Sequence, residues 1–306
     1  MHKKLPFSLR GMSSCLGIIL MSTIAMNKNA RADESPFGYL YTTDTLPKGH
    51  WEYEQWNTLR IGKAEGSYSA FDLRNEMEYG FTDRFSASLY VNSSYLYTNN
   101  VPNPDESDEN LVNQNNFDIN GLSVELKYRV LSPYKNFIGL MLYAEPEISL
   151  RSPLSGDDIA ERSIELKLIL QKNFLDDRLV LASNIMFEPE WERAEGEREK
   201  ELKNEYSFGA SYRFAPAWSA GLEVLNRRTY EDQNLAKQTS SAFFLGPTLH
   251  YANKSWWTSL TVLPQIGGVP RNLGEDANGQ TITDPSRTLG EYEKTEVRLR
   301  FGFNFE

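Results

Sequence analysis

Apolar and polar residues alternate along most of the chain with a period of two. The clearest case is the C-terminal stretch TEVRLRFGFNF, residues 295–305, in which apolar and polar or small side chains take turns. This alternation is typical of a β-strand with one apolar and one polar face, whereas a helical period would scatter the charges around a cylinder. The pattern predicts twelve strands, at roughly 50–62, 67–80, 85–97, 117–131, 137–151, 162–173, 178–192, 201–214, 218–230, 239–251, 256–267 and 289–305.

The links between these strands fall into two kinds. Tight, turn-rich links follow the even-numbered strands, whereas longer polar links follow the odd-numbered ones, notably 98–116 and 268–288. Outer-membrane barrels sort their links in this way, with short periplasmic turns and longer extracellular loops. The sequence therefore predicts an all-β fold, a twelve-stranded antiparallel up-and-down transmembrane β-barrel, closed by pairing of the last strand with the first.

The N-terminus has the three parts of a secretory signal. Three basic residues precede the apolar run Cys15–Met26, and the tripeptide Ala-Arg-Ala ends at Ala32. The run is too short to span a bilayer, and no later segment approaches the ~20 apolar residues of a membrane helix. We predict a signal peptide at 1–32, an N-terminal segment at 33–49 and a barrel at 50–306.

Composition narrows the chemistry further. Cys15 is the only cysteine and lies in the signal, so the mature chain has neither a disulfide nor a thiolate metal site. A lipid anchor at Cys15 is disfavoured because the apolar stretch follows the cysteine. Removing five basic residues with the signal changes the formal charge from −10 to −10 − 5 = −15, which leaves no basic footprint for nucleic acid.

Charged residues share one parity within the predicted strands and are expected to face the lumen. Fifteen acids stand against twelve bases, a mixture that favours cross-strand ion pairs over a one-signed, ion-selective wall. The residues that we expect to line the lumen include Glu52, Glu54, Asp72, Arg74, Glu76, Glu78, Glu125, Lys127, Arg129, Glu145, Glu147, Glu188, Glu190, Glu192, Arg213, Arg227, Arg298 and Arg300.

Aromatic residues concentrate at strand ends. Amphipathic indoles gather at membrane interfaces, so we expect an aromatic girdle of Trp51, Trp191, Trp218, Trp256 and Trp257, whereas Trp56 lies mid-strand on the charged side. The apolar face of the last strand is expected to meet lipid and to act as an insertion signal, comprising Val297, Leu299, Phe301, Phe303 and Phe305.

Glu188, Glu190 and Glu192 lie near the predicted extracellular end of one strand. They form either an acidic mouth that attracts cations or simply a solvated rim. Adjacent members of this set are separated by ~6.5–7 Å along a straight strand, too far for one calcium ion to bind all three without loop ligands. We predict no metal site.

Catalysis is not expected. The mature chain has only two histidines, His50 and His250, and neither lies in a serine-hydrolase setting. We predict no catalytic residue and no cofactor.

The mature N-terminus carries the motifs FGYLYTT, LPKG and WE between Phe37 and Glu52. This segment resembles that of a family of Gram-negative outer-membrane β-barrel proteins without an assigned activity. More distantly, LPKG, FFLGP at Phe243–Pro247 and WWTSLTVLPQ at Trp256–Gln265 look like outer-membrane barrels described as transporters and associated with aromatic-compound degradation. The resemblance implies a barrel, but it implies neither a substrate nor a catalytic residue.

Two functions remain open at this stage. One is a porin-like passive channel for small polar or charged solutes in the outer membrane of a Gram-negative bacterium. The other is a non-conducting structural or interaction barrel with acidic surface loops. The N-terminal segment is expected either to plug the barrel or to form a short strand against its rim. Expected partners are outer-membrane lipid, periplasmic chaperones and the barrel-assembly machinery.

Overall fold

The computed structural model describes residues 35–102, 111–152, 158–194, 197–269, 272–275, 281–283, 289 and 291–305. The predicted signal peptide and Cys15 lie outside these residues. Within the described part of the chain, no helix has the length and apolar character that a membrane span requires.

The described residues form fourteen strands, of which the longest has 21 residues. Their bounds are β1 Trp51–Ile61, β2 Ser67–Thr82, β3 Phe85–Pro102, β4 Leu111–Leu131, β5 Gly139–Arg151, β6 Asp158–Phe174, β7 Leu179–Ala194, β8 Glu197–Ala215, β9 Trp218–Glu231, β10 Gln238–Ala252, β11 Trp256–Val269, β12 Asn272–Glu275, β13 Thr281–Thr283 and β14 Thr295–Phe305.

Twelve of these strands form one closed antiparallel barrel, as the sequence predicts. Neighbours in the chain pair with one another from β1 to β11, β14 pairs with β11, and β1 pairs with β14. Along this seam Trp51 lies opposite Phe305 and Ile61 lies opposite Thr295. Closure gives the backbone groups of the first and last strands hydrogen-bonding partners that an open sheet would lack.

The barrel wall is apolar outside and polar inside. On β4, Leu122, Val124 and Leu126 are exposed, whereas Ser123 and Glu125 between them are buried. The other barrel strands continue this arrangement, and buried polar or charged residues outnumber buried apolar ones among the described residues. A water-soluble sandwich would have the opposite polarity.

The links between the strands lie alternately at the two ends of the barrel. The end at which β1 begins and β14 finishes, here called the short-link rim, carries links of two to seven residues at 83–84, 132–138, 175–178, 216–217 and 253–255. The other end is called the long-link rim. The predicted sorting of links by length is present only in part: at the long-link rim 25 residues separate β11 from β14, but only two separate β7 from β8 and five separate β1 from β2.

Two predicted links contain more strand than expected. β3 and β4 stay paired as far as Pro102 opposite Leu111, so much of 98–116 is a hairpin, and residues 103–110 lie outside the described residues. β12 and β13 pair with each other within the predicted link 268–288. The sequence hid the extension of β3 and β4 because polar residues occupy both parities at 98–100 and 113–116 and remove the period-two signal, while backbone pairing does not require that signal.

Candidate functional site

The interior of the barrel collects the predicted lumen-lining charges. Half of them are buried, and these are Glu52, Glu54, Glu76, Glu78, Glu125, Lys127, Glu145, Glu190 and Arg300. The other half are partly exposed, and these are Asp72, Arg74, Arg129, Glu147, Glu188, Glu192, Arg213, Arg227 and Arg298.

Many of these charges form ion pairs, most of which join different strands. Arg300 donates to Glu54 across the seam at 2.7 Å, and Lys203 donates to Glu190 at 2.7 Å. Arg74 pairs with Glu145. Further pairs join Arg227 to Glu205 and Glu296, Lys127 to Glu78 and Glu125, and Arg60 to Asp72.

One tryptophan of the predicted girdle faces the lumen instead. Trp257 is 0% exposed and its Nε1 donates to the carboxylate of Glu52, whereas Trp51, Trp191 and Trp218 are exposed. Trp256 is partly exposed and contacts Phe301 and Tyr251. Consecutive residues of a strand point to opposite faces, so Trp256 and Trp257 cannot share one side of the wall.

The apolar residues of β14 alternate outward as expected for its C-terminal pattern. Leu299, Phe303 and Phe305 are exposed, and Val297 and Phe301 are partly exposed. Between them Arg300 and Glu296 are buried on the lumen side.

Residues 35–46 lie inside the barrel. Phe37, Leu40 and Leu46 are each 0% exposed, although they precede the first strand. Phe37, Tyr39 and Leu40 pack with Leu225, Phe244 and Leu263 of the wall. The segment leaves the lumen at the short-link rim, where Gly49 N donates to Gly80 O at 2.8 Å.

Glu223 of β9 holds the bend of this segment. Its carboxylate accepts hydrogen bonds from the backbone N–H groups of Gly38, Tyr39 and Leu40 at 2.8, 2.8 and 3.2 Å. The hydroxyl of Thr261 also donates to it at 2.9 Å. A carboxylate that accepts several backbone donors satisfies groups that a strand partner would otherwise bind.

Amide side chains of the wall hold the rest of the segment. Asn184 accepts from Tyr41 N at 2.8 Å and donates to Tyr41 O at 3.0 Å, much as a paired strand would. Gln171 accepts from Thr43 N at 2.7 Å. The backbone of the segment is therefore bound by side chains from β6, β7 and β9.

Aromatic rings and cations alternate across the lumen. The guanidinium carbon of Arg300 is 4.1 Å from the Trp56 ring centroid, and that of Arg298 is 3.8 Å from the Tyr39 ring centroid. Lys167 Nζ lies 4.3 Å from the Tyr41 ring centroid. Such contacts stabilise charge in a desolvated place. The even parity of Trp56 with Glu52 and Glu54 already placed it on this face.

Two cavities adjoin the segment. The larger, of about 220 Å³, is bounded by Tyr39, Tyr41, Trp56 and residues nearer the long-link rim, and its charged lining comprises Arg74, Glu165, Lys167, Glu188, Lys203, Glu205, Arg227, Arg228 and Arg298. The smaller, of about 20 Å³, lies by Ser35, Thr42 and Asp44. Burial raises the pKa of the Asp44 carboxyl, against the opposing effect of the Thr42 hydroxyl bonded to it.

A separate ion cluster lies near the long-link rim. Glu293 accepts from Arg60 Nη1 at 2.9 Å and lies 3.2 Å from Lys63 Nζ. Burial acts to raise the pKa of Glu293, but Lys63 and Arg60 outweigh it and lower this pKa to about 2. Burial lowers the pKa of Lys63 despite the carboxylate beside it.

The two histidines are held by the barrel. His250 is buried and its Nδ1 lies 2.7 Å from Ser259 Oγ, but Ser259 is 0% exposed, so no solute reaches that hydroxyl. His50 is partly exposed at the short-link rim, where its carbonyl accepts from Gly80 N at 3.0 Å.

Solved structures with this architecture include outer-membrane channels. The COG4313 outer membrane channel from Pseudomonas putida F1 superimposes with a TM-score of 0.54 at 10% identity, over 86% of this chain and 98% of that one. A structure described as the NanC porin gives 0.44 at 12% identity, over 82% and 98%. The KdgM porin in complex with disordered oligogalacturonate gives 0.43 at 12% identity, over 84% and 99%.

The likeness to the COG4313 channel shows the fold. None of the curated proteins compared with the chain matches it. Residues 29–305, which include the whole barrel, match the family of unknown function DUF6662. The chain therefore belongs to DUF6662.

Proposed function

We propose that the protein is an outer-membrane channel for small polar or charged solutes, with residues 35–46 acting as a plug that narrows the lumen. The observation that carries this proposal is the polar, ion-paired interior with an about 220 Å³ cavity beside the segment. An eight-stranded barrel is filled by its own side chains, whereas twelve strands enclose a wider interior that leaves room for a solute path. The exposed apolar band supports a place in the bilayer.

The wall and the segment together define the solute class. Six basic and three acidic side chains line the larger cavity, with four aromatic rings among them. Several of these bases are already paired with carboxylates, so the cavity favours small hydrated or hydrogen-bonding solutes and rejects bulky apolar ones. Passage is passive, as for a porin.

One observation favours the non-conducting barrel as a second candidate. The segment occupies the centre of the lumen and every described backbone contact that it makes is to the wall or to itself. If the segment stays in the lumen permanently, no solute passes, and the molecule is a structural or interaction protein of the cell surface.

Planar-bilayer conductance of the purified protein tests both candidates. The unaltered chain and a variant lacking residues 35–46 are compared at equal salt, with folding checked by heat-modifiable gel migration. We expect a measurable conductance for the unaltered chain and a larger one for the deletion. Absence of conductance in both folded proteins would refute the channel and leave the structural barrel.

Location is tested separately. Fractionation of cell envelopes should place the protein in the outer membrane of a Gram-negative bacterium, and recovery in the soluble periplasmic fraction would contradict the proposal. Proposed partners are outer-membrane lipid and, during folding, periplasmic chaperones and the barrel-assembly machinery.

A further inference from the structure

Five glutamates lie close together on the inner wall, two on β1, two on β2 and one on β4, which is separated from β2 by β3. Glu52 lies directly opposite Glu78, and Glu54 lies directly opposite Glu76, in the register of β1 and β2. In the register of the next strands, Glu78 pairs with Ser88 and Ser88 pairs with Glu125. The small serine leaves room for Glu78 and Glu125 to approach each other above it.

Direct opposition of like charges is unfavourable in a sheet. Here it occurs twice, and all five carboxylates are at most 3% exposed, so water does not screen them. Two basic side chains contact the group: Lys127 Nζ lies 3.0 Å from Glu78 and 3.2 Å from Glu125, and Arg300 bonds Glu54. With all groups ionised, five negative and two positive charges leave an excess of three negative charges.

Some carboxylate oxygens in this group have no hydrogen-bond partner among the described residues. They are Glu76 Oε2 and Glu78 Oε1, on side chains that are 2% and 0% exposed. The smaller cavity, of about 20 Å³, is bordered by Glu54 and Glu76 and by the two bases of the group, Lys127 and Arg300. This volume holds about one water molecule or one ion. Of the two residues with an unpaired oxygen, Glu76 borders this space, and a buried, unpaired carboxylate oxygen there is available to bind a ligand.

The distances fit a calcium ion. One carboxylate oxygen each from Glu76, Glu78 and Glu125 lies within 4.8 Å of the others, and the same holds for Glu52, Glu54 and Glu78. Oxygens bound to one calcium ion at ~2.3–2.6 Å are at most ~4.6–5.2 Å apart, so these oxygens are close enough to bind one ion together. Magnesium dehydrates reluctantly and is rarely held by protein ligands alone, so a buried group of carboxylates favours calcium.

We propose that Glu76, Glu78 and Glu125 bind a divalent cation, calcium in preference to magnesium, on the lumen wall beside the plug. This goes beyond the proposed channel function, because the site requires only the folded barrel. It differs from the predicted acidic mouth at Glu188, Glu190 and Glu192, whose members are successive residues of one strand face. The glutamates of the cation site come from β2 and β4, and Ser88 of the intervening strand β3 lies between them.

Lys127 serves as an internal competitor at this site. Its ammonium group contacts one oxygen each of Glu78 and Glu125, so it offsets part of the negative charge when no metal is bound. Removing this ammonium group increases the local negative charge. If the glutamates form a cation site, Lys127→Met should bind calcium more tightly. If Lys127 only stabilises the fold, the variant should lose stability without gaining calcium affinity.

Isothermal titration with CaCl₂ tests the proposal on the purified full-length barrel in detergent, after treatment with EDTA and its removal. We expect one calcium per chain, weaker binding of MgCl₂, a loss of roughly tenfold or more in calcium affinity for Glu76→Gln, and tighter binding for Lys127→Met. Glu205→Gln is the matched control, because Glu205 is a lumen carboxylate outside the group and pairs with Arg227. The calcium affinity of Glu205→Gln should equal that of the unaltered chain.

Circular dichroism and heat-modifiable gel migration establish that each variant is folded. A second readout is the thermal unfolding midpoint, which calcium should raise in the unaltered chain and not in a Glu76→Gln, Glu78→Gln double variant. Lack of calcium binding by the unaltered chain, or equal binding by Glu76→Gln, overturns the proposal. Neither outcome depends on conductance, so failure of this site is distinguishable from failure of the channel.

Discussion

Removal of the Glu223 carboxylate should release the plug. Glu223 is 0% exposed and accepts backbone hydrogen bonds from Gly38, Tyr39 and Leu40, the bend of the segment. Glu223→Ala removes all three acceptor contacts at once and leaves the barrel strands paired through their backbones. The perturbation thus acts on the attachment of the segment and not on the wall register.

The expected effect is large. A hydrogen bond to a charged group contributes ~1.5–3 kcal/mol, so three of them sum to ~4.5–9 kcal/mol as an upper range. Water can enter the space left by the carboxylate and replace part of this loss. We take ~3 kcal/mol as the net change, which raises the ratio of displaced to seated segment about a hundredfold. Glu223→Gln keeps one carbonyl acceptor and should give an intermediate result.

Single-channel recording measures the outcome. The fraction of time spent in a high-conductance state should rise in the order unaltered chain, Glu223→Gln, Glu223→Ala, and limited proteolysis should cut the segment in the same order. Asp72→Asn is the matched control, because Asp72 is a lumen carboxylate that pairs with Arg60 on the barrel wall. If Glu223→Ala keeps both the conductance and the protease resistance of the unaltered chain, the carboxylate does not hold the plug.

Three further variants test other contacts. Trp257→Phe removes the indole donor from a buried carboxylate and should lower the free energy of unfolding in detergent by ~1–3 kcal/mol, measured from urea midpoints; an unchanged midpoint would contradict this role. The pKa of Glu293 is depressed to about 2 beside Lys63, so its stabilising effect is present above pH 4.5 and lost as the pH falls toward 2. In Glu293→Gln the thermal unfolding midpoint should depend less on pH over that acid range. A plot of midpoint against pH parallel to that of the unaltered chain would argue against this role of Glu293. A Cβ at Gly209 would lie 2.7 Å from the Phe37 ring, so Gly209→Val should displace the segment and raise conductance. An unchanged conductance in this variant would contradict the prediction.

Strand number, polarity and closure were predictable from residue parity. In residues 122–130 of β4 and 296–305 of β14, apolar residues alternate with charged, polar or glycine residues, and a membrane barrel must pair its last strand with its first. The same parity contained the information that Trp257 faces inward, because its neighbour Trp256 cannot occupy the same face. The prediction of a shared girdle failed because it considered only the position of tryptophan near a strand end.

The attachment of the plug was not predictable from local pattern. Gly38 and Glu223 are separated by 185 residues, and Tyr41 and Asn184 by 143. No periodicity connects a glycine in an irregular segment with one glutamate among many that share the lumen parity. Which carboxylate meets which backbone donor is decided by the three-dimensional position of β9 relative to the bend of the segment.

The position of residues 35–46 restricts the order in which the barrel can be assembled. These residues are synthesised before β1, yet the side chains that bind their backbone, such as Asn184 and Glu223, belong to strands made much later. Native anchoring of the segment therefore has to wait for the second half of the molecule. A nascent chain must keep this stretch available, unpaired with any neighbouring strand, until the sheet curls around it.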